Sequence, residues 1–401
     1  MRIIAVDVTN LLYTYPPSDR FRYAGGVATG RLTSLVRVST DQGLVGVGSA
    51  YSHPDLVRTI IEGNLCDLLL GHDPLQVEAL WKRMYAITRW YGRKGAAMSA
   101  LGAVDMALWD LRGQALDKSV AELLALDPTS AIRDRVPAYA SALLWRDDPA
   151  ELGDEAACYV AQGYRGVKMR LGRNPIYDRA AVHAVRQAVG PDVRVMVDGS
   201  MRYSLSQALA LAPFLAEQDA FWFEEPFLPE QLDDYAALRA QVAVPLAEGE
   251  NEFGVQGFAE VIRRGAVDIV QPDCCRAGGI SECHRVGQMA AEVGLGVATH
   301  TWSDAVALVA NMHIIASLPN GLTVEVDRTG NPFIDDLLTE PLCLVDGELL
   351  LPRGPGLGVT LNKEVIQAHT LPADAPIPPG SYSDMVFGRE HWTPAPPYGA
   401  A

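Results

Sequence analysis

Three short apolar runs, each reaching acidic residues, decide the fold of this chain: VRVMVD at residues 193–198, AFWFEE at residues 220–225 and VPLAEGE at residues 244–250. Each run has the length of a buried strand, and the sequence between consecutive runs has the spacing of a helix. Strands that alternate with helices are typical of parallel pairing, because parallel neighbours need a crossover of about a dozen or more residues. The region therefore predicts consecutive strand and helix units of a parallel sheet.

The same unit repeats on both sides of this region, at a period of roughly 23–30 residues. Eight strands with seven intervening helices at an even period favour a closed parallel barrel. An open doubly wound sheet is the rival interpretation. The predicted strands are residues 136–141, 166–170, 193–198, 220–224, 244–248, 267–271, 296–299 and 322–325.

A different pattern precedes the predicted barrel. Residues 2–11 and 32–50 read as strand regions, the second broken by a turn at 41–43, and residues 54–124 have helical spacing. Between the two strand regions, the glycine-rich stretch 23–30 is predicted to be a mobile loop. The first part of the chain is therefore predicted to be a separate α+β unit.

After the last predicted strand the sequence becomes rich in proline. Residues 372–401 are predicted to be either an extended arm laid on a surface or on a neighbouring subunit, or a disordered tail. The complete division is an α+β domain at residues 1–130, the barrel at residues 131–345, and a C-terminal segment with its Pro-rich tail at residues 346–401.

Composition excludes several classes of partner. The formal charge of −16 and the pI near 4.9 repel nucleic acid and anionic membrane surfaces. Six cysteines show neither the density of a disulfide scaffold nor the spacing of a zinc site. The N-terminus reads as a strand, not as a signal peptide, and no apolar run is long enough to span a membrane. We therefore expect a cytoplasmic protein.

Three acidic residues follow consecutive predicted strands at the same depth. Asp198, Glu224 and Glu250 are each 26 residues apart, so their side chains converge on one volume at the carboxyl ends of the strands. Three carboxylates in one place would raise one another's pKa unless a cation neutralised them. Oxygen ligands of this kind suit Mg²⁺. A single acid in such a position is more often a helix N-cap, but the matched trio predicts a magnesium site.

Further ionisable residues follow other strands at the same end. Asp273 is placed to hold one ring nitrogen of His300, which is the arrangement of an oriented general base. Lys168 and Arg170 alternate on one strand and face the same side. Because Arg170 does not lose its proton, Lys168 is the ordinary candidate for a base on that side. Asp304 and Asn311 are expected to be ordinary helix residues.

The ordered motifs resemble the mandelate racemase branch of the enolase superfamily, over the chain up to about residue 362. The resemblance implies a (β/α)7β modified TIM barrel and an α+β capping domain that forms a lid with the returning C-terminal segment. It also implies Mg²⁺ on the predicted trio, His300 with Asp273 as an acid/base, Glu325 as a protonated partner of an enediolate, and a homo-oligomer. The motifs are VKMR (167–170), MVD (196–198), FEEP (223–226), GEN (249–251), QPD (271–273) and THT (299–301).

Two positions depart from the family pattern. Arg170 stands where the family usually has a second lysine that acts as a base, and Ser200 stands where an asparagine is common. Racemisation needs a proton acceptor on each face of the carbon, so Arg170 argues against a racemase.

The leading functional hypothesis is a lyase that dehydrates an acid sugar to a 2-keto-3-deoxy acid, since the details look most like sugar-acid dehydratases and galactarolactone cycloisomerase. A racemase, epimerase or sugar-lactone cycloisomerase using the same site is the alternative. From a different class, a non-catalytic binding barrel is the third interpretation.

Overall fold

The computed structural model describes residues 1–23, 26–125, 132–381, 383–387 and 398. Within these ranges an antiparallel sheet with its helices comes first, a closed parallel barrel follows, and a C-terminal segment completes the chain. The predicted fold class, an α/β barrel with an α+β capping domain, is confirmed.

The capping domain is built around one long strand. Strand β3 pairs antiparallel with β1, β2 and β4. In its pairing with β1, the register runs from Ile3 opposite Thr40 to Thr14 opposite Gly30. The strands are β1 (Ile3–Thr14), β2 (Phe21–Tyr23), β3 (Gly26–Thr40) and β4 (Val45–Ala50). The helical segments are a 3-10 turn (Pro17–Asp19), α1 (Pro54–Ile60), a π-helical turn (Ile61–Leu65), α2 (Cys66–Leu69), α3 (Val77–Thr88), α4 (Ala96–Leu116) and α5 (Val120–Leu124).

Helix α4 lies directly on β4 because two glycines leave room for its backbone. A Cβ atom at Gly46 would stand 2.0 Å from the carbonyl oxygen of Ala107, and one at Gly48 would stand 2.0 Å from that of Ala103. Almost the whole of α4 is buried. Any larger residue at either glycine would therefore push the helix off the sheet.

Eight parallel strands form the barrel, and β12 pairs with β5 to close it. The strands are β5 (Arg135–Ser141), β6 (Gly166–Arg170), β7 (Arg194–Asp198), β8 (Ala220–Glu224), β9 (Leu246–Glu248), β10 (Ile269–Val270), β11 (Gly296–Thr299) and β12 (Gly321–Asp327). The helices between them are α6 (Ala150–Ala161), α7 (Pro175–Val189), α8 (Leu205–Glu217), α9 (Leu232–Arg239), α10 (Gly254–Arg264), α11 (Ile280–Glu292) and α12 (Ala305–Ser317). Across the described ranges, no helix is long and apolar enough to cross a membrane.

The barrel interior positions the polar groups above it. A layer of buried side chains fills the middle of the barrel: Tyr139, Met196, Trp222, Ala247, Ile269 and Ala298. Side chains on one face of a strand recur every second residue, so the next inward residue after Met196 is Asp198 and the next after Trp222 is Glu224. In the same way, His300 is the next inward-facing residue after Ala298. The polar groups therefore converge at the carboxyl ends of the strands.

The C-terminal segment contacts both earlier parts of the chain. Strand β14 pairs antiparallel with β5 of the barrel, and β15 pairs antiparallel with β3 of the capping sheet. The domain limits at residues 130 and 345 stay a prediction. The elements are α13 (Pro332–Asp335), β13 (Leu344–Val345), β14 (Glu348–Leu350), α14 (Lys363–His369) and β15 (Met385–Phe387).

Two expectations about irregular segments change. The predicted mobile loop is wrong for residues 26–30, which form the start of β3 and pair with β2 and β15; residues 24 and 25 lie outside the described ranges. Within the predicted arm or tail, residues 385–387 form a strand on the chain's own capping sheet, whereas residues 388–397 lie outside the described ranges. Local composition missed both because each strand is stabilised by the other, across more than 350 residues of sequence.

Candidate active site

Asp198, Glu224 and Glu250 meet at the carboxyl ends of β7, β8 and the segment after β9. Each offers a carboxylate oxygen, and these oxygens all lie within 4.8 Å of one another. Glu250 Oε2 is buried and has no hydrogen-bond partner among the described residues. Because a buried carboxylate oxygen without a donor is costly, this arrangement fits a cation.

Neighbouring groups fix the orientation of the carboxylates. Trp222 Nε1 and Gln271 Nε2 each donate to Glu224 Oε2 at 2.8 Å, which leaves Oε1 for other partners. The backbone N–H of Ser200 donates to Asp198 Oδ1 at 2.7 Å. Ser200 has φ +52°, so the chain turns sharply after the strand and brings this N–H back to the carboxylate.

The two basic residues of β6 contact the same carboxylates. Lys168 is fully buried, and its Nζ contacts Glu224 Oε1 and lies 2.8 Å from Glu325 Oε1. Burial alone would lower the pKa of Lys168, but the carboxylates of Glu224 and Glu325 outweigh burial and raise it. The guanidinium of Arg170 contacts Asp198. Both cations therefore neutralise the carboxylate cluster.

His300 and Asp273 lie on the other side of the cluster. His300 Nδ1 is 2.7 Å from Asp273 Oδ2, and its Nε2 is 3.6 Å from Glu250 Oε2 and 3.8 Å from Glu325 Oε2. Burial lowers the pKa of His300, but the carboxylates of Glu250, Glu325 and Asp273 outweigh burial and raise it to about 9. The predicted pair is brought together with Nδ1 engaged and Nε2 facing the acidic cluster.

Glu325 is held in its charged form by these neighbours. Burial raises the pKa of Glu325, but the charges of Lys168 and His300 outweigh it and lower the pKa. The backbone N–H of Thr301 also donates to Glu325 Oε2 at 3.0 Å. The protonated form of Glu325 that the family resemblance implies stays a prediction for the substrate complex.

Asn311, expected to be an ordinary helix residue, is instead buried behind the His300–Asp273 pair. Its Nδ2 donates to Asp273 Oδ1 at 3.1 Å and to the carbonyl oxygen of His300 at 2.9 Å, and its Oδ1 accepts from the N–H of Cys274 at 3.1 Å. Cys275 adds two donors to Asp273 Oδ1, its N–H and its Sγ, each at 3.0 Å. The sequence signal was an amide within the otherwise apolar first part of α12, residues 305–312. Asp304, also expected to be an ordinary helix residue, is the N-cap residue of α12, where its side chain accepts from the N–H groups of Val306 and Ala307.

The capping domain and the loop after β10 contribute an aromatic and a cationic group beside His300. The ring of Tyr51, at the end of β4, lies edge-on to the His300 ring with centroids 5.8 Å apart. The guanidinium carbon of Arg276 lies 4.4 Å from the centre of the Tyr51 ring, and Arg276 Nη2 donates to Asn251 Oδ1 at 2.8 Å. The site is therefore enclosed by both domains.

Comparisons with known proteins match this architecture over most of the chain. Residues 16–125 match the family described as "Mandelate racemase / muconate lactonizing enzyme, N-terminal domain", and residues 151–365 match "Enolase C-terminal domain-like". D-galactarolactone cycloisomerase of Agrobacterium fabrum is 35% identical over 349 residues, 84% of this chain and 91% of that protein. Arabinonate dehydratase of Saccharolobus solfataricus is 34% identical over 337 residues, 83% of this chain and 89% of that protein.

Solved structures of similar proteins share the fold. A 3,6-anhydro-D-galactonate cycloisomerase from Zobellia galactanivorans superposes with a TM-score of 0.84 and 30% identity, over 92% of this chain and 100% of that one. A racemase from Streptomyces coelicolor with bound magnesium superposes with a TM-score of 0.84 and 27% identity, over the same shares.

Proposed function

Because this chain belongs to the mandelate racemase and muconate lactonizing enzyme family of the enolase superfamily, we propose that it is a lyase that dehydrates an acid sugar. The observation that carries the proposal is the distribution of groups around the carboxylate trio. His300 offers a ring nitrogen on one side, whereas Lys168 and Arg170, on a strand three steps away around the barrel, offer only charge. The site thus combines one acid/base group with positive charge.

Asp198, Glu224 and Glu250 would hold the metal, and their hard oxygen atoms together with the unpartnered Glu250 Oε2 favour Mg²⁺. When bound, the metal would supply positive charge beside the substrate carboxylate and so acidify the neighbouring carbon.

His300 would move the proton. In its neutral form, with Nδ1–H donated to Asp273, His300 presents the lone pair of Nε2 to the site and accepts the α-proton, and the C–H electron pair passes into an enediolate. Lys168 and Arg170 stabilise the developing negative charge. The enediolate then expels the β-hydroxyl, which takes the proton from His300 and leaves as water. The resulting enol rearranges to a 2-keto-3-deoxy acid.

A sugar-lactone cycloisomerase is the second candidate, favoured by the 35% identity to D-galactarolactone cycloisomerase. The same proton transfer would then expel a ring oxygen in place of a hydroxyl group. Racemisation is disfavoured because Arg170 keeps its proton and cannot accept one on the second face.

A substrate panel tests the proposal. Purified protein with MgCl₂ is incubated with aldonic, uronic and aldaric acids and with their lactones, and 2-keto acid is measured as its semicarbazone while lactone opening is followed by NMR. We expect 2-keto acid from at least one free acid. Absence of 2-keto acid from every member of the panel would refute the proposed chemistry. Formation of 2-keto acid from a lactone but from none of the free acids would select the second candidate, because expulsion of the ring oxygen leaves the same enol.

A further inference from the structure

Arg31 is a buried cation that joins three distant parts of the chain. It lies in β3 of the capping sheet and is 1% exposed. Its Nη2 contacts Asp327 at the end of barrel strand β12, its Nη1 donates to Asp384 Oδ2 at 2.8 Å, and its Nε donates to the hydroxyl of Tyr15 at 3.1 Å. Since every guanidinium nitrogen has a partner, Arg31 is held in one orientation.

The C-terminal tail supplies one side of this arrangement. Strand β15 pairs with residues 28–31 of β3, and the carbonyl oxygen of Asp384 accepts from the N–H of Leu32 at 2.6 Å. Met385 and Phe387 are 3% and 1% exposed, so the strand is a packed part of the capping domain. All of these tail residues lie beyond residue 365, where the match to the family model ends.

Trp302 carries the contact from Arg31 to the active site. The guanidinium carbon of Arg31 lies 4.5 Å from the centre of the Trp302 ring, and that of Arg170 lies 4.9 Å from it. Trp302 follows His300 by two residues, and its Nε1 donates to Ser141 Oγ at 3.3 Å. A shift of Arg31 would therefore displace a side chain that contacts Arg170 and shares a loop with His300.

We propose that the tail, through Asp384 and β15, is a positioning element of the active site that acts through Arg31 and Trp302. Asp384 and Asp327 together hold Arg31, and Arg31 holds Trp302 against Arg170. Loss of Asp384 leaves a fully buried arginine with one carboxylate in place of two, and such a cation moves to seek solvent or a new partner. The effect on turnover rests on the proposed function, whereas the effect on the loop after β11 does not.

Two variants test the proposal against a matched control. Asp384→Asn removes one charge from Arg31, and truncation after Gly380 removes the strand as well. Asp110→Asn is the control, because Asp110 is also a buried carboxylate of the capping domain, and in the described part of the chain it accepts from the N–H groups of Val47 and Leu357 and from Gln114. All are compared at a temperature where circular dichroism shows them folded, by kcat, by KM and by hydrogen–deuterium exchange.

For Asp384→Asn and for the truncation we expect kcat to fall about tenfold or more with KM within about threefold, since small misplacement of catalytic groups mainly slows turnover. Exchange is expected to accelerate in residues 26–40 and 299–304. The control is expected to keep kcat within about twofold. Unchanged exchange in residues 299–304 of Asp384→Asn, or an equal loss of kcat in Asp110→Asn, would overturn the proposal. If the wild-type protein has no activity on acid sugars, the proposed function is refuted. The proposal that the tail positions the loop after β11 is then tested by the exchange data alone.

Discussion

Asp105 makes the stability of this protein depend on pH in a direction opposite to that of an acid whose pKa is lowered by an ion pair. It lies in α4 of the capping domain, and its carboxylate accepts from the N–H of Ser281 at 2.9 Å and from its hydroxyl at 2.6 Å, at the start of barrel helix α11. Burial raises the pKa of Asp105 to about 7, and the two bonds from Ser281 only partly oppose burial. The folded protein therefore keeps a proton that the unfolded chain releases.

The sign and the size of the effect follow from the two pKa values. The pKa is 3.8 in the unfolded reference and about 7 in the folded protein, so the stabilisation is fully present below pH 3.8 and is lost as pH rises to about 7. One pKa unit corresponds to about 1.36 kcal/mol of unfolding free energy. Between about pH 5 and pH 7 the deprotonation of Asp105 therefore lowers the unfolding free energy by roughly 3 kcal/mol at most. Asp105→Asn keeps the geometry, because an amide can accept from the Ser281 N–H and donate to its hydroxyl, but it does not titrate.

Urea denaturation followed by circular dichroism at about pH 5 and about pH 8.5 measures this difference. Between these conditions we expect the wild type to lose roughly 2–3 kcal/mol of unfolding free energy relative to Asp105→Asn. Other buried carboxyl groups with a raised pKa, such as that of Asp110, also destabilise the protein as the pH rises. The contribution of Asp105 is therefore measured by the difference between the wild type and Asp105→Asn in how their unfolding free energies change with pH. Glu340→Gln, at an exposed position, is the control and should follow the wild type. Parallel pH curves for the wild type and Asp105→Asn would refute the reasoning.

Three further changes test the site itself. His300→Asn should lower kcat about 10²–10⁴-fold without lowering Tm by more than a few degrees, and wild-type turnover or wild-type α-proton exchange in D₂O would contradict the assignment of this residue. Loss of a residue that only supports a metal ligand typically weakens metal binding roughly 10–100-fold. Because Glu250 is proposed as a ligand itself, Glu250→Gln should weaken Mg²⁺ binding by more than this in calorimetry, and an unchanged affinity would show that the metal binds elsewhere. Asn311→Asp puts an acceptor where a donor stands 3.1 Å from Asp273; we expect kcat to fall about 10²-fold with a displaced pH profile, and a normal profile would show that Asn311 does not position the pair.

The sequence predicted the elements of the site whose position depends on the strands alone. Asp198 and Glu224 each stand two residues after an inward-facing residue of a short apolar run. The two-residue period of a strand and the geometry of the barrel therefore predict that both side chains face the barrel axis at the carboxyl ends of the strands. Asn311 and Arg31 could not be placed in this way. The role of each depends on contacts with residues far away in the sequence, Asp273 for Asn311 and Asp384 for Arg31. Periodicity within a helix or a strand contains no information about such partners.

The charges around the trio explain how a strongly acidic protein would accept the acid sugar proposed as its substrate. Burial raises the pKa of Glu248 to about 8 and that of Glu225 well above its ordinary value, so burial opposes negative charge on both of these neighbours of the trio. The carboxylates of Asp198, Glu224, Glu250 and Glu325 lie beside four basic groups, those of Lys168, Arg170, Arg276 and His300.

A divalent cation held by Asp198, Glu224 and Glu250 would change the electrostatics of this cluster. With that cation in place, Glu250 would no longer stabilise the protonated form of His300, which would move the pKa of His300 down, towards the range of a general base. Lys168 and Arg170 would then be less strongly held by the trio and available to a substrate carboxylate. The electrostatics of the cluster also give a reason for Arg170 at the position where the family usually has a second lysine. An arginine keeps its positive charge whatever the protonation state of the carboxylates around it.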